Sequence, residues 1–170
     1  MMVRNIDPSG KIFISAIGGL EPITLLGESV KVVPRNGKEV NGIVTTMDIQ
    51  DSVELTQLPN MADVYVDTGL TKDDVSKAGI SPGDYIHIMK EFVELGNSKY
   101  ISGKALDDRI GCYMLLELAK KLKKSKPEIH YVFTVQEEIG MYGSKTSIYS
   151  IDPDYAIVLD VTESDDAKDK

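Results

Sequence analysis

The 170-residue chain contains 42% apolar and 27% charged residues, a balance typical of a folded protein rather than a disordered one. Its formal net charge of -8 argues against a nucleic-acid partner, and no apolar run approaches the roughly 20 residues that cross a bilayer, so no membrane partner is predicted. The single cysteine, Cys112, excludes an internal disulfide and, with no secretory leader visible, favours a cytoplasmic location.

The first part of the chain, residues 1–97, has the pattern of short strands separated by turn residues. Strands are predicted at 11–16, 29–33, 40–45, 53–56, 64–66 and 85–89. Strands at this spacing predict a small barrel or sandwich. One short helix interrupts them, with Thr71 as its N-cap, Asp74 three residues later and Gly79 just past its end.

The second part, residues 98–170, changes to a helical period. Ile110, Met114, Leu118 and Leu122 recur every four positions, which predicts the buried face of an amphipathic helix over 107–124. Five lysines between 120 and 126 lie where that helix ends, and cations there complement the helix dipole. A strand at 129–135, a short helix within 140–150 and a strand at 155–159 follow. This order predicts an α/β arrangement with the two strands parallel.

The predicted topology gathers carboxylates at one edge of the sheet. Glu137 and Glu138 follow the first strand, Asp160 follows the second, and the helix that begins at Asp107 starts level with the same edge. Several carboxylates in one crevice repel one another unless protons or a cation lie among them, and oxygen ligands suit divalent metal ions. In the alternative interpretation, Asp107 or Asp108 caps the helix and the two glutamates are ordinary loop acids.

Three segments carry a family resemblance. They read Gly-Lys-Ala-Leu-Asp-Asp-Arg-Ile-Gly at 103–111, Thr-Val-Gln-Glu-Glu-Ile-Gly-Met-Tyr-Gly at 134–143 and Leu-Asp-Val-Thr at 159–162. In type, order and spacing they resemble the signatures of the tetrahedral, or glutamyl, aminopeptidases, a family of dinuclear metallopeptidases. The preceding residues, including Ile-Gly-Gly at 17–19 and Asp-Thr-Gly at 67–69, resemble the family's inserted dimerisation domain. The resemblance implies a β-barrel-like dimerisation domain over 1–97 and a partial α/β catalytic domain over 98–170.

The resemblance also implies a role for each matching carboxylate. Asp107 would bridge two divalent metal ions, Glu138 and Asp160 would each complete the ligands of one ion, and Glu137 would be the general base. The ions would be zinc or cobalt by family, with manganese or magnesium suited to a site built from carboxylates alone. The implied activity is removal of N-terminal residues from short peptides, by a protein that self-associates into dimers or larger oligomers.

Two features of the family are absent from this sequence, namely a His-x-Asp motif and a second histidine ligand. Its histidines, His87 and His130, are interpreted as structural. We therefore expect an internal piece of the family's chain, with little or no activity by itself. One alternative is a non-enzymatic dimerisation or assembly module. Another is an endoglucanase-type glycoside hydrolase, which uses a carboxylate pair, although adjacent residues leaving a strand point to opposite faces and suit a ligand plus a base better.

Overall fold

The computed structural model describes residues 1–50 and 57–163, and it divides into two units, Met1–Lys90 and Glu91–Lys170. The division falls seven residues before the predicted domain boundary at 97/98. The predicted strand at 53–56 lies outside the described residues.

The first unit contains a closed, six-stranded antiparallel barrel. Its strands are β1 (Met2–Ile6), β2 (Ile12–Ser15), β3 (Ser29–Val33), β4 (Val40–Thr46), β5 (Val64–Asp67) and β6 (Tyr85–Ile88). Their order around the barrel is β1-β2-β5-β4-β3-β6, and pairing of Met2 with Tyr85 joins the two ends. The predictions of β2 to β6 and of a small barrel are therefore confirmed. Strand β1 was not predicted.

Alternation of side chains along the strands places the core inside the barrel. In β3, for example, Val30 and Val32 are fully buried, whereas Ser29, the first residue of the strand, is exposed. The core cluster comprises Val3, Ile12, Ile14, Leu25, Val30, Val32, Val44, Val64, Val66, Val75, Ile80 and Ile86. The interior is densely filled, since a Cβ atom added at Gly42 would lie 2.4 Å from Cγ1 of Val66. This is the packing expected of a small barrel, whose side chains fill the interior.

Short helices connect the barrel strands. They are α1 (Pro22–Leu25), α2 (Met47–Gln50), a 3-10 turn (Met61–Asp63) and α3 (Lys72–Lys77). The N-terminus of α3 matches its sequence signature. The Thr71 hydroxyl accepts the backbone N–H of Asp74 at 3.3 Å and donates to the Asp74 carboxylate at 2.7 Å. Gly79 has φ +82°, the left-handed conformation that closes many helices.

The second unit contains a hairpin of β7 (Val93–Leu95) and β8 (Tyr100–Ser102), followed by α4 (Leu106–Lys121) and α5 (Tyr142–Ile151). The two helices confirm the predicted ones to within a few residues, and the hairpin was not predicted. None of the helices in the described part of the chain is long and apolar enough to span a membrane.

The predicted strands at 129–135 and 155–159 are absent, so these two predictions are wrong for this structure. Both segments are unpaired, and the side chains of Tyr155 and Ile157 are 93% and 89% exposed. The physical reason is that a strand requires a hydrogen-bonded neighbour. Apolar, β-branched composition indicates the capacity to pair, but over residues 91–163 the only paired strands are β7 and β8.

The predicted burial of the α4 stripe is also wrong. Ile110, Met114, Leu118 and Leu122 are all substantially exposed. Helices bury an apolar face only against another layer, and the sheet expected to provide that layer has not formed. Within residues 91–163, Gly111 alone is buried, so this unit has no hydrophobic core of its own.

Candidate catalytic carboxylates

The start of α4 separates the roles of two adjacent aspartates. Asp107 and Asp108 have non-helical backbone angles, and the peptide bond between them is cis. One carboxylate oxygen of Asp108 accepts the backbone N–H of Gly111 at 2.9 Å, which is the hydrogen bond of an N-cap. The capping interpretation therefore holds for Asp108. Asp107 lies before the regular helix with its side chain exposed.

Gly111 allows the Asp108 carboxylate to lie directly against the helix. A Cβ atom at position 111 would be 2.3 Å from one oxygen of that carboxylate and 2.6 Å from the other. Sequence reasoning did not single out this glycine, although it closes the first motif. A glycine three residues after a candidate cap is the signal that could have distinguished Asp108 from Asp107 as the capping residue.

Backbone hydrogen bonds hold the turn that carries Glu137. Its carbonyl accepts the N–H groups of Gly140 and Met141, both at 2.9 Å. The N–H of Gly143, in the first turn of α5, donates to the carbonyl of Val135 at 3.0 Å. These bonds tie the end of the extended segment to the start of α5. The position of the glutamates relative to α5 is therefore determined by main-chain contacts.

Gly143 is a second glycine that lies directly against neighbouring atoms. A Cβ atom there would lie 2.3 Å from the carbonyl oxygen of Val135 and 2.7 Å from its nitrogen. These are backbone atoms, which cannot rotate away as a side chain can. The side chains of Glu137 and Glu138 project from this turn and are both exposed.

Asp160 directly follows the segment at 155–159, in which Tyr155 and Ile157 are exposed. Its carboxylate accepts the backbone N–H of Val161 at 2.8 Å, and its side chain is exposed.

The expected convergence of these carboxylates is not met. Among residues 1–50 and 57–163, no three His, Cys, Asp or Glu side chains lie close enough together to hold a metal ion. The donor chemistry of Asp107, Glu138 and Asp160 fits divalent cations, but the arrangement does not. The prediction placed Glu138 and Asp160 at the ends of two paired strands, and those strands are not formed. We therefore derive no catalytic step through a metal from this geometry.

The two histidines lie in different units of the chain. His87 lies in β6, as predicted, with its ring edge-on to that of Tyr85 at 6.4 Å between centroids. His130 lies in the unpaired segment rather than at the start of a strand, and its Nε2 is 3.0 Å from the Glu128 carboxylate. Neither histidine belongs to a metal-binding group within the described residues.

Comparison with known proteins identifies the family. The sequence profile of the M42 glutamyl aminopeptidases matches residues 1–170. The chain therefore belongs to the M42 glutamyl aminopeptidase family, and the resemblance of its three motifs is confirmed.

Individual relatives agree with this assignment. An aminopeptidase from the archaeon Desulfurococcus kamchatkensis shares 34% identity and superimposes with a TM-score of 0.87, covering 97% of this chain and 45% of that one. The lysyl aminopeptidase of Pyrococcus furiosus is 28% identical over 173 residues, covering 100% of this chain and 50% of the relative. A TET1 peptidase of Pyrococcus horikoshii, which can assemble into a tetrahedron or a large octahedral shell, shares 28% identity with a TM-score of 0.76, covering 94% and 48%.

The chain thus spans about half the length of the curated relatives it matches. The fold comparison confirms a mixed α/β chain in which a barrel precedes part of an aminopeptidase domain. Because the family match is to aminopeptidases over all 170 residues, the glycoside-hydrolase alternative is not carried forward.

Proposed function

We propose that this chain supplies part of a metal-dependent aminopeptidase, a hydrolase that removes N-terminal residues from short peptides. The observation that carries the proposal is the family match across residues 1–170, with the three motifs at 103–111, 134–143 and 159–162 in the family's order. A cytoplasmic location is part of the proposal and accords with the single cysteine.

Three carboxylates are the proposed metal ligands. Asp107 would bridge two divalent ions, and Glu138 and Asp160 would each bind one of them. The choice of Asp107 rather than Asp108 as a ligand is supported by the hydrogen bond that Asp108 accepts as the cap of α4. Asp107 lies outside the regular helix. Divalent ions held by these residues would supply an acidified water molecule and polarisation of the scissile carbonyl group. We propose zinc or cobalt as the ions, with manganese or magnesium as the alternatives for a site of carboxylates alone.

Glu137 is the proposed general base. Its backbone carbonyl is held by the N–H groups of Gly140 and Met141, so its position in the turn is defined, while its side chain is exposed. A carboxylate so placed can take a proton from an attacking water molecule and return it to the departing amine.

A chimera tests this proposal. In it, this chain replaces the matching residues of the D. kamchatkensis aminopeptidase. We expect hydrolysis of aminoacyl-anilides that EDTA abolishes and a divalent ion restores. Glu137→Gln should lower kcat by about 10²–10⁴-fold, the usual contribution of a general base. Glu91→Gln, at an exposed acid outside the motifs, should leave kcat unchanged.

The chimera contradicts the proposal if it folds with bound metal and shows no peptidase activity, or if Glu137→Gln retains full activity. The 170-residue chain alone, which supplies only the carboxylates, should turn over these substrates poorly or not at all. Strong metal-dependent activity of the chain alone would refute the assignment of the ligands.

Self-association is the second proposed property. The first unit contains all the buried hydrophobic residues of the described chain, so it has the core of an independent domain. The P. horikoshii relative assembles into large shells, which supports self-association in this family. A fragment of residues 1–90 should fold and form dimers or larger oligomers by sedimentation. A folded but monomeric fragment would refute this proposal.

A further inference from the structure

Two asparagines of the first unit are followed directly by glycine, at Asn36–Gly37 and at Asn41–Gly42. In such a pair the glycine nitrogen can attack the asparagine side-chain amide, because glycine has no Cβ to obstruct the approach. The nitrogen bonds to Cγ, the bond from Cγ to Nδ2 breaks, and ammonia leaves with the proton of the glycine N–H. Water then opens the succinimide ring to aspartate or isoaspartate. Since both pairs have this chemistry, their surroundings in the fold determine which of them reacts.

The pair Asn41–Gly42 lies within strand β4, between β3 and β5. Gly42 pairs with Val30 of β3, and a Cβ atom added at Gly42 would lie 2.9 Å from the carbonyl oxygen of Asp67 at the end of β5. The succinimide nitrogen carries no hydrogen and lies in a ring, so the product does not fit an extended, paired strand. Reaction at Asn41 therefore requires this part of β4 to leave the closed barrel.

The pair Asn36–Gly37 lies in the turn that connects β3 to β4. Both residues are exposed, so water reaches them. The N–H of Gly37 donates to the carbonyl of Pro34 at 2.8 Å, and a Cβ atom added at Gly37 would meet no atom within 4 Å. Breaking one turn hydrogen bond therefore frees the Gly37 nitrogen. Such a local opening leaves the barrel strands paired.

The side chain of Asn36 is held beside the nitrogen that attacks it. Its Oδ1 accepts the backbone N–H of Lys38 at 2.9 Å, the local hydrogen bond that asparagine side chains form in turns. This bond keeps the side-chain amide close to the backbone on either side of Gly37. It also stabilises the negative charge that develops on Oδ1 when the nitrogen adds to Cγ.

The same side chain connects the turn to helix α3. Nδ2 of Asn36 donates to the carbonyl of Ala78, the C-cap residue of α3, at 3.0 Å. Loss of the amide replaces this donor with a carboxylate, which can only accept hydrogen bonds. A carboxylate facing that carbonyl is repelled by it and lies at the negative end of the helix dipole. The reaction therefore removes the contact between the turn and α3.

We propose that Asn36 is a site of spontaneous deamidation, whose reaction disconnects the β3–β4 turn from the C-terminus of α3. Asn41, which has the same neighbour in sequence, is protected by the barrel. The reaction consumes water and releases ammonia, and it needs no enzyme, metal ion or cofactor.

Peptide mapping tests the site. The folded 170-residue chain is incubated at mildly alkaline pH below its melting temperature, and samples are cleaved after glutamate. Cleavage after Glu28, Glu39 and Glu54 places the two asparagines in separate peptides, 29–39 and 40–54. Mass spectrometry measures the gain in mass as NH₂ is replaced by OH, and chromatography separates aspartate from isoaspartate. Asn36 should lose its amide at least about tenfold faster than Asn41, because a turn opens at lower free energy than a barrel strand.

The chain unfolded in urea is the control for intrinsic reactivity. There the two asparagines should lose their amides at similar rates, because neither is held by the fold. Equal rates at the two positions in the folded chain, or a faster rate at Asn41, would overturn the assignment of the site. A preference for Asn36 that persists unchanged in urea would overturn the protection of Asn41 by the barrel.

A matched pair of variants tests the consequence of the reaction. Asn36→Asp carries the charge of the product, and Asn41→Asp adds the same charge at an exposed position of β4. Asn36→Asp should lower the melting temperature and speed hydrogen exchange at the amides of Ala78 and Gly79, which end α3. Asn41→Asp should leave both properties close to those of the unsubstituted chain. Unchanged stability and exchange in Asn36→Asp would refute the disconnection of α3.

Discussion

The barrel core offers the sharpest test of how the first unit is stabilised. Ile14 lies in β2, is fully buried, and pairs with Val3 of β1 near the point where the barrel closes. Ile14→Ala removes three carbon atoms from a closed barrel whose hydrogen-bonded strands limit collapse around the cavity. Substitutions of this type cost about 2–5 kcal/mol of unfolding free energy. For a unit of this size, at about 4–8 °C per kcal/mol, the melting temperature should fall by roughly 8–40 °C.

Two controls accompany that variant. Ile14→Val removes a single methyl group and should cost about 0.5–1.5 kcal/mol. Ile43→Ala, on the outer face of β4 and 54% exposed, should stay within about 0.5 kcal/mol of the unsubstituted chain. The chain has no tryptophan, so urea unfolding is followed by far-ultraviolet circular dichroism and tyrosine fluorescence. Equal stabilities for Ile14→Ala and Ile43→Ala would refute the assignment of the core to the barrel interior.

The remaining predictions concern local contacts. Thr71→Ala should destabilise the first unit by about 1 kcal/mol through loss of the α3 cap. Thr71→Ser, which keeps the hydroxyl group, should have nearly the stability of the unsubstituted chain. Equal stability of all three proteins would show that the cap does not stabilise the unit. The hydrogen bond from the Thr71 hydroxyl, followed by that from Lys77, holds the pKa of Asp74 below its ordinary value. A carboxyl group with a lowered pKa stabilises the fold above its unfolded-state pKa and loses that effect as pH falls through the folded-state pKa. Thr71→Ala should therefore raise the pKa of Asp74 in an NMR titration and reduce the acid sensitivity of stability; an unchanged pKa would refute the hydrogen bond's role. Gly143→Ala should disrupt the start of α5 and lower helicity, because its Cβ would lie 2.3 Å from a backbone atom. Gly19→Ala, whose Cβ would have no atom within 4 Å, should leave helicity unchanged. Equal helicity of the two variants would contradict the close approach at Gly143.

Local signals in the sequence predicted local structure well. Thr71 and Asp74 are three residues apart, so the hydrogen bonds that cap α3 depend on no distant contact. The strand predicted at 29–33 from its flanking turn residues was likewise found with the same bounds. Strand β1 escaped notice because its pairing with β2 shifts register between Val3 and Asn5, which interrupts the alternation.

The residues of the candidate site stay a prediction from the sequence, and the predicted geometry was not met. The motifs identified Asp107, Glu137, Glu138 and Asp160, because residue type and spacing are properties of the sequence itself. Whether Asp107 or Asp108 caps α4 depended on backbone angles at the start of the helix. Gly143 gained its significance only from distances to neighbouring backbone atoms, whereas the spacing of Gly111 from Asp108 could have been read from the sequence.

The sequence by itself determined the family, helices α3, α4 and α5, and barrel strands β2 to β6. Closure of that barrel was decided by tertiary structure, since Met2 pairs with Tyr85 across most of the first unit. The same dependence explains the failure at 129–135 and 155–159, where the composition indicates strands and no paired strand has formed. A helix satisfies its backbone hydrogen bonds from within, whereas a strand requires a neighbour. The sequence can therefore encode the capacity to pair, but only contact with a second strand realises it.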